Sequence, residues 1–450
     1  MALRLASPGI SVREVDLTRG GVDFTLNVVG GLAAPFAKGP CNEITRVNNE
    51  NELVEIFGKP GVGTTDYHYE TWYAASNFLS YGGKLDIVRC VGGDLNTANS
   101  AVGLANTTLL LEGLEDYNNN QADDTNWYFA AKNPGNWAEN IKVAIIDNAA
   151  DQIITPTLET GTIAATKVGF AVTQHLTGNT IGVGTVTAAT GILKGVVTGK
   201  TATTIDVRVV STVIAGSEVL VDYQQNSQFE FKTGTMLNIV NNSGTTVGKS
   251  STVTSADWYN SQNILTSVAD GGSDFTTIKW RAVLNKPKTN NYVSKRDGAN
   301  DALHVVVIDA GGGVTGDVGS ILEKFANLSK AKDGVASGNE SVYYKDFLAT
   351  NSEYVFSGAH ATQADDSVKG TLVLPGGITG FTSITAADGS WGQDAKNIKF
   401  SSIGNQGYDL TGGLDYTGVG VYDAPLGDIL TSYDKFSDPV DSDIRFLLQG

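Results

Sequence analysis

Hydrophobic positions in the N-terminal part of the chain follow two different periods, which together predict an αβ layer. Residues 24–33 form a nearly continuous apolar run, as is typical of a buried strand. Residues 49–58 and 66–83 place apolar side chains at helical spacing, and residues 84–91 form a second apolar run. A strand, two helices and a strand in this order predict helices packed on one face of a sheet.

The first predicted helix has clear ends. Asn49 can cap its first backbone amides, and Glu52 follows three residues later. Gly58 and Pro60 cannot readily continue a helix, so we expect it to end before them.

Residues 7–18 alternate like a strand but have no core of their own. One side carries Ile10, Val12, Glu14 and Asp16, and the other carries Ser11, Arg13, Val15 and Leu17. A strand with so few neighbours is stabilised by pairing with a sheet edge, and that edge can belong to another copy of the chain. We therefore predict that residues 1–23 form an extended arm with these candidate intersubunit residues: Ile10, Val12, Glu14, Val15 and Leu17.

The middle of the chain contains two further apolar runs, residues 141–147 and 302–310, which predict buried strands. Residues 318–331 follow the second run with helical spacing, so we expect a helix there. Its apolar positions are Ile321, Leu322, Phe325 and Leu328. Residues 161–245 instead alternate Val, Ile and Thr between glycine-centred turns, which predicts a small β-barrel or sandwich.

These elements predict a multidomain α+β protein in which a discontinuous αβ domain carries a large insertion. We expect a final strand within residues 440–450, lying beside the strand of residues 84–91. The predicted domains are the arm (1–23), the αβ domain (24–92 with 400–450), an inserted αβ domain (93–160 with 246–399) and an inserted β-rich outer domain (161–245).

Composition excludes some classes of function. The chain has 450 residues, of which 31 are Lys or Arg and 48 are Asp or Glu, so its net charge is −17. Contact with phosphates needs clustered basic residues, which makes direct nucleic-acid binding or binding to an anionic membrane a poor expectation. The ordinary explanation of the charge is solubility.

The cysteines, the N-terminus and the hydrophobic runs indicate the compartment in which the protein is made. Cys41 and Cys90 lie far apart without a CxxC motif, which favours a reducing compartment over a disulfide framework. The N-terminus is broken early by Pro8 and Gly9, unlike a signal peptide. No stretch approaches the roughly 20 apolar residues of a spanning helix, so we expect neither export nor membrane insertion.

Several motifs, taken in order, resemble one protein family. SPGISVREVDLT, ENELVEIFGKP and YAASNFLSYGGKLDIVRCV are similar to the N-terminal part of contractile tail sheath proteins of myovirus-type bacteriophages. KNPGNWAENIKVAIID, HVVVIDAGGGVTGDVGSILEKFANLSKAKD and LTGGLDYTG resemble later segments of the family in the same order. Each motif is structural, and their order is what carries the resemblance. Residues 161–245 carry none of it.

The resemblance implies a structural, non-enzymatic subunit without a cofactor. Such subunits form a homo-oligomer of stacked, helically arranged rings around a tail tube, and the polymer shortens to drive the tube through the host envelope for genome delivery. The implied partners are the tail tube, baseplate and tail terminator proteins, in a virion tail assembled in the host cytoplasm. Family members normally continue beyond the region that ends at Gly450, so we expect the chain to be truncated or partly represented.

One segment has the glycine pattern of a nucleotide-binding loop, as an enzyme would. Gly311, Gly313 and Gly316 satisfy G-x-G-x-x-G after a predicted strand and before a predicted helix, where amides at the helix N-terminus could bind a pyrophosphate. No second dinucleotide-binding half is evident, so a plain turn from strand to helix is the favoured interpretation.

The remaining candidates for chemistry are scattered. His68, His175, His304 and His360 have no metal-ligand spacing, and His304 lies on an apolar strand, which favours a satisfied core or edge residue. Asp147 and Asp309 both end predicted strands and could face each other as a carboxylate pair, but aspartates at strand ends commonly form turns. No GxSxG nucleophile motif or Walker loop is present.

Two further clusters have ordinary structural explanations. The aromatic run of Tyr67, Tyr69, Trp72 and Tyr73 is more often core than a binding face at helical spacing. Residues 116–124 are rich in oxygen ligands but lack the glycine and terminal glutamate of a calcium loop, which favours a solvated loop.

We therefore favour a tail sheath subunit. The alternatives are a nucleotide-binding enzyme that uses residues 311–316 and a structural protein of the surface-layer or adhesin type, for which an export signal would be expected.

Overall fold

A computed structural model describes residues 28–60, 68–101, 108–122, 124–175, 192–214, 217–220, 223, 229–233, 237–241, 243–264, 278–361, 372–373, 385–386, 389–419, 423–438 and 443–449. The chain divides into two compact units: residues 1–92 with 416–450, and residues 93–415. Each unit is described by itself.

Helices and strands are numbered along the chain. The helices are α1 (Glu50–Phe57), α2 (His68–Ser80), α3 (Leu114–Asp116), α4 (Trp258–Ser261), α5 (Trp280–Val283), α6 (Asn291–Ser294), α7 (Tyr344–Asn351) and α8 (Leu426–Tyr433). The strands are β1 (Val29–Ala34), β2 (Ile44–Val47), β3 (Lys84–Arg89), β4 (Asn99–Ala101), β5 (Trp127–Ala131), β6 (Ile141–Asp147), β7 (Gln152–Thr160), β8 (Ala171–His175), β9 (Ile192–Lys200), β10 (Ile205–Ile214), β11 (Ser217–Leu220), β12 (Leu237–Val240), β13 (Thr246–Asp257), β14 (Ala302–Asp309), β15 (Ser320–Ser329), β16 (Val355–Ser357), β17 (Leu372–Val373), β18 (Thr385–Ala386), β19 (Asn405–Asp409) and β20 (Phe446–Leu447).

The first unit is an open four-stranded sheet in the order β2-β3-β1-β20. Strand β1 is buried along its whole length and pairs in parallel with β3, as expected for a strand between helices. The C-terminal strand β20 joins this sheet, but it pairs with β1 rather than with the strand of residues 84–91, so the predicted neighbour was wrong. Gly30 and Gly31 permit the approach of Leu448 and Ile444, since a Cβ at either glycine would lie 2.6–2.9 Å from those side chains.

Helix α1 begins and ends where the sequence predicts. The Asn49 side chain accepts a hydrogen bond from the backbone amide of Glu52 at 3.0 Å. Gly58 follows the helix with φ of +86°, and its amide donates to the carbonyl of Val54. The buried face of the helix carries Leu53 and Phe57, which join the core of the first unit.

The second unit contains a closed six-stranded barrel in the cyclic order β7-β13-β12-β8-β9-β10, with every pairing antiparallel. Strand β11 extends the ring from β10. Phe231 fills the interior together with aliphatic side chains from the strands. Gly195 leaves room for Phe231, because a Cβ there would lie 3.0 Å from its ring. The barrel uses residues 152–257, beyond both ends of the predicted 161–245.

A second sheet of this unit has the order β15-β14-β6-β19. Strands β6 and β14 are buried and antiparallel, as the two apolar runs predicted. Strand β19 also lies here, although we predicted residues 400–450 in the domain of the termini. A further sheet, β16-β5-β4, packs into the same core.

The predicted helix at residues 318–331 was wrong, because residues 320–329 form strand β15. Two bulges place an extra residue of β15 against β14, at Leu322 and near Asn327. Asn327 has φ of +55° at its bulge. Each extra residue shifts the alternation of side chains, so apolar residues recur at intervals of three and four and imitate a helix.

Taken together, the described residues form a mixed α+β fold with several sheets and a barrel, which agrees with the predicted fold class.

Candidate functional site

The glycine-rich loop connects β14 to β15. Gly312 and Gly316 have φ of +73° and +88°, which L side chains rarely adopt. The Asp309 carboxylate accepts hydrogen bonds from the amides of Val314 and Thr315 at 3.0 and 2.7 Å. It also accepts one from the Thr315 hydroxyl at 2.9 Å. The loop is therefore wrapped around a carboxylate of its own chain.

This geometry contradicts both interpretations of the loop made from sequence. The loop joins two antiparallel strands, so neither a strand-to-helix turn nor a helix N-terminus is present at residues 311–316. Two amides that could bind a phosphate already donate to Asp309. The negative charge of that carboxylate would also repel a phosphate. The nucleotide-binding alternative therefore loses the structural context on which it depended.

The four histidines belong to different parts of the chain. They lie at the start of α2, the end of β8, the middle of β14 and after β16: His68, His175, His304 and His360. Nε2 of His304 is 2.6 Å from the Asn285 carbonyl, and Nδ1 accepts from the Asn327 amide at 3.0 Å. His304 is buried and both of its ring nitrogens have partners, as predicted for a satisfied core or edge residue, and burial lowers its pKa. Among the described residues, no group of three or more His, Cys, Asp and Glu side chains is arranged to hold a metal ion.

Asp147 and Asp309 do not form a carboxylate pair. In the antiparallel pairing of β6 and β14, Asp147 lies opposite Leu303 while Asp309 lies opposite Ile141, so the two aspartates lie at opposite ends. Asp309 organises the glycine loop, and Asp147 forms a buried ion pair with Lys330.

The aromatic run on α2 is only partly core. Trp72 is buried and donates from Nε1 to the Gly58 carbonyl at 2.9 Å, as the core interpretation expects. Tyr73 is half exposed and packs edge-on against Trp72. Tyr69 is partly buried, and Tyr67 lies outside the described residues.

The Asn-rich segment is not simply a solvated loop, so that interpretation was wrong in part. Residues 117–121 form a π-helical turn. Tyr117 is buried, stacks on Phe356 with centroids 4.3 Å apart and donates to the Ser357 carbonyl at 2.7 Å.

The candidate arm residues lie outside the described residues: Ile10, Val12, Glu14, Val15 and Leu17. What the structure does describe is two sheet edges of the kind such an arm needs. Strands β2 and β20 end the four-stranded sheet of the first unit, and no described strand pairs with the outer side of either. Unpaired edges of this kind are templates for another strand.

The edge at β20 is apolar and short. Phe446 and Leu447 are 56% and 64% exposed, which is unusual for large apolar side chains on a sheet. Helix α8 also exposes Leu426 and Leu430, which lie one helical turn apart. The hydroxyl of Tyr433 fixes this helix to the end of the chain by donating to the Leu448 carbonyl at 2.6 Å.

The edge at β2 borders a polar groove of about 600 Å³ lined by Asn42, Glu43, Ile44, Arg46, Asp86 and Lys435. Arg46 donates to both oxygens of Asp86, at 2.7 and 2.9 Å. The Asp86 side chain is buried whereas half of the Arg46 side chain is exposed, so the aspartate meets its counterion at the groove surface. The bond to Asp86 raises the pKa of Arg46. An aspartate inside the apolar run of residues 84–91 was the sequence signal for this pair, and we missed it.

Cys90 does not have the surroundings of a reactive thiol. Cys41 and Cys90 are buried and form no disulfide. Burial raises the pKa of Cys90 to about 11, so its thiol stays protonated at neutral pH. Within the described part of the chain, no helix combines the length and apolar character needed to span a bilayer.

Comparisons with known proteins give short but specific matches. No protein-family model matches the chain. A region of 103 residues is 37% identical to the tail sheath protein of Enterobacteria phage T4, covering 23% of this chain and 15% of the T4 protein. A region of 104 residues is 36% identical to the tail sheath protein of Vibrio phage KVP40, covering 23% of this chain and 14% of that protein. The match thus spans about a seventh of the length of these curated relatives.

Two solved structures of sheath tail proteins also match. The one from Desulfitobacterium hafniense has 12% identity and a TM-score of 0.17, and the match covers 31% of this chain and 26% of that chain. The one from Listeria innocua has 13% identity and a TM-score of 0.17, with coverage of 51% and 33%. With TM-scores this low, neither structure supports an argument about the fold. The two curated sequences do confirm the resemblance predicted from the motifs: this chain has homologues among phage tail sheath proteins.

Proposed function

We propose that this protein is a structural subunit of a contractile phage tail sheath, which polymerises around the tail tube and shortens to deliver the genome. The observation that carries the proposal is the 37% identity with the T4 tail sheath protein over 103 residues. The order of the other sequence motifs supports it over a larger part of the chain.

The open sheet of the first unit supplies the surface that such a polymer requires. We propose that residues 7–18 of one subunit add a strand to β2 or β20 of another. The exposed Phe446 and Leu447 support this role, because apolar side chains on an open edge gain from being covered. Strands exchanged between subunits would then hold the polymer together, while each subunit keeps its own folded units.

The mechanism is mechanical. A polymer assembled in a strained extended form relaxes to a shorter form with better packing between subunits, and exchanged strands keep neighbours tethered while rigid domains rotate. The energy is stored during assembly, so the subunit needs neither a catalytic site nor a cofactor. The partners that follow are further copies of this chain, the tail tube protein, and the baseplate and tail terminator proteins. The assembled sheath belongs to the virion tail, built in the host cytoplasm.

The domain layout is part of this proposal. The arm and the αβ domain of the termini would hold the polymer together, and the insertion with its barrel would protrude from it.

Electron microscopy tests the function directly. The purified full chain should form striated hollow tubes, alone or with tail tubes added. Dispersed particles under both conditions would reject the proposal, and flat two-dimensional arrays would favour the surface-layer alternative.

A deletion tests the arm. Removing residues 1–18 should leave the melting temperature of the monomer nearly unchanged and abolish tubes. A control of full length, in which Ile10, Val12, Glu14, Val15 and Leu17 are all replaced by serine, should fail in the same way. Deleting only residues 1–5 should leave assembly intact. Normal tubes from the serine variant would show that the arm is not the tether.

A further inference from the structure

The first unit buries a positive charge without a carboxylate beside it. Arg89, the last residue of β3, is only 1% exposed. No described Asp or Glu forms an ion pair with it, and a guanidinium does not lose its proton in a protein. Because a buried charge is costly unless it is paired, the surroundings of Arg89 must supply a counter-charge in another form.

The loop between β1 and β2 surrounds the guanidinium. Nε donates to the carbonyl of Phe36 at 2.8 Å, Nη1 to that of Gly39 at 2.9 Å and Nη2 to that of Ala37 at 3.3 Å. Nη1 also donates to Sγ of Cys41 at 3.6 Å. The three carbonyls replace hydration but carry no net charge, so Cys41 is the one of these four partners that can become an anion.

Ionisation of the Cys41 thiol would neutralise the buried charge. As a thiol, Sγ faces the Gly39 carbonyl at 3.9 Å, a long contact to an oxygen that already accepts from Arg89. As a thiolate, Sγ accepts a charge-assisted hydrogen bond from Nη1, and the pair has no net charge. An arginine beside a cysteine is one of the surroundings that favour the thiolate.

We propose that Arg89 holds Cys41 as a thiolate and that this thiolate is a modification site, which hydroperoxides oxidise to a sulfenic acid. Sγ attacks one oxygen of hydrogen peroxide; the S–O bond forms and the O–O bond breaks. The sulfur is oxidised by two electrons, and the peroxide is reduced to hydroxide, which takes a proton from bulk water. No proton has to pass through the protein, because the thiolate has already lost its own.

The position of Cys41 limits the size of the reagent. Its side chain is 4% exposed, and its neighbours Pro40 and Asn42 are partly exposed. The sulfur therefore lies just beneath the surface of the loop, within reach of a small oxidant. This matches the chemical class of a hydroperoxide better than that of a bulky thiol or disulfide.

Cys90 provides an internal control. It follows Arg89 directly in sequence and is also buried, but burial raises its pKa to about 11. It should stay protonated and unreactive at neutral pH, so any thiolate there belongs to Cys41. The inference does not depend on the proposed function, because it concerns one subunit and its tests require no polymer.

Ultraviolet absorbance of the native full chain tests the thiolate. A thiolate absorbs near 240 nm and a thiol does not, and tyrosines ionise only at about pH 10 or above. The wild type and Cys90→Ser should both show one thiolate at pH 7 that is lost on acidification, whereas Cys41→Ser should show none. Unfolding the wild type at pH 7 should also remove most of the signal. Equal absorbance of the native wild type and Cys41→Ser would overturn the proposal.

Peroxide treatment tests the modification. After brief exposure of the native chain to hydrogen peroxide at pH 7, dimedone traps sulfenic acids, and peptide mass spectrometry locates them. Cys41 should be labelled at least about ten times more than Cys90, in line with its thiolate character. Label on neither cysteine, or equal label on both, would reject the modification site.

The variant Arg89→Gln tests the role of the guanidinium as a positioning residue. It removes the charge, so the pH at which the Cys41 thiolate forms should rise and the peroxide label at pH 7 should fall. An unchanged pH profile would show that Arg89 does not hold the thiolate. If this variant does not fold, the absorbance titrations of the wild type and Cys41→Ser decide the proposal.

Discussion

The barrel and the sheet of the first unit are both built from short strands, but they differ at their edges. In the barrel, six strands form a closed ring, so each has a partner on both sides. In the first unit, β2 and β20 each have one described partner, and β20 is held by only two paired residues, Phe446 and Leu447. Closure removes sheet edges, whereas an open sheet keeps them available to another chain.

This difference suggests a division of labour within one polypeptide. The stability of the barrel comes from its own interior, where Phe231 and the surrounding aliphatic residues are fully buried. The open sheet also buries a core, but it leaves apolar side chains exposed at one edge. Substitutions can therefore separate residues that hold a unit together from residues that hold copies together.

The largest effect is expected in the barrel interior. Phe231→Ala should lower the free energy of unfolding by about 3–5 kcal/mol, because it removes a buried aromatic ring and leaves a cavity. Denaturant unfolding should measure this loss, and hydrogen exchange should rise in the barrel strands but not in β1 and β3. Phe231→Leu, which fills part of the space, should cost less. Equal losses from both variants would mean that the side chain does not pack as the structure describes.

The second effect depends on pH. Burial raises the pKa of Asp206, on β10, to about 6. A raised folded pKa means that this group stabilises the fold fully only below its unfolded pKa, near 3.9, and that this stability is lost as pH rises through 6. Asp206→Asn should therefore stabilise the protein by about 1–3 kcal/mol at pH 7.5 and hardly at all at pH 4.

Thermal melting across this pH range measures the Asp206 effect. Glu159→Gln removes an exposed carboxylate from the same barrel and provides the control for the loss of one negative charge. A gain from Asp206→Asn that is equal at pH 4 and pH 7.5 would contradict the role of ionisation.

The third effect concerns the N-terminal cap of helix α1, in the unit with the open sheet. Asn49→Ala should cost about 1 kcal/mol, because the first amides of α1 lose the cap that now accepts from Glu52. Asn49→Ser keeps an acceptor at the same position without placing a second carboxylate beside Glu52, so it should cost less than alanine. Urea unfolding of the two variants measures the difference. Equal stability of the alanine and serine variants would show that the cap does not contribute.

The elements predicted correctly from the sequence are those whose signals are local. Helix α1 was located by Asn49 and Gly58, and strands β6 and β14 by unbroken apolar runs. The errors came from contacts between distant residues. The bulges of β15 become visible only against β14, and the partner of β20 depends on a pairing of Gly30 with Phe446, which are far apart in sequence.

The same limit applies to the candidate site. The glycine pattern at residues 311–316 lies in a loop, but neither the strand that follows it nor the Asp309 carboxylate that fills it was apparent from spacing alone. The sheet edges could not be predicted either, because whether a strand lies at an edge depends on how the other strands of the sheet pair.

Substitutions on the exposed edge strand β20 should change the stability of the subunit least and its assembly most. Phe446→Glu and Leu447→Glu change exposed side chains, so each should alter the free energy of unfolding by no more than about 0.5 kcal/mol. Each should nevertheless weaken tube formation, because a charge on the outermost strand discourages pairing with another strand. Tyr81→Glu, at an exposed aromatic residue in the turn after α2, is the matched control and should assemble normally. If the β20 variants form tubes as readily as this control while Thr45→Pro in β2 does not, the receiving edge is β2. If all three edge variants assemble normally, the contrast between a closed barrel and a recruiting open sheet fails.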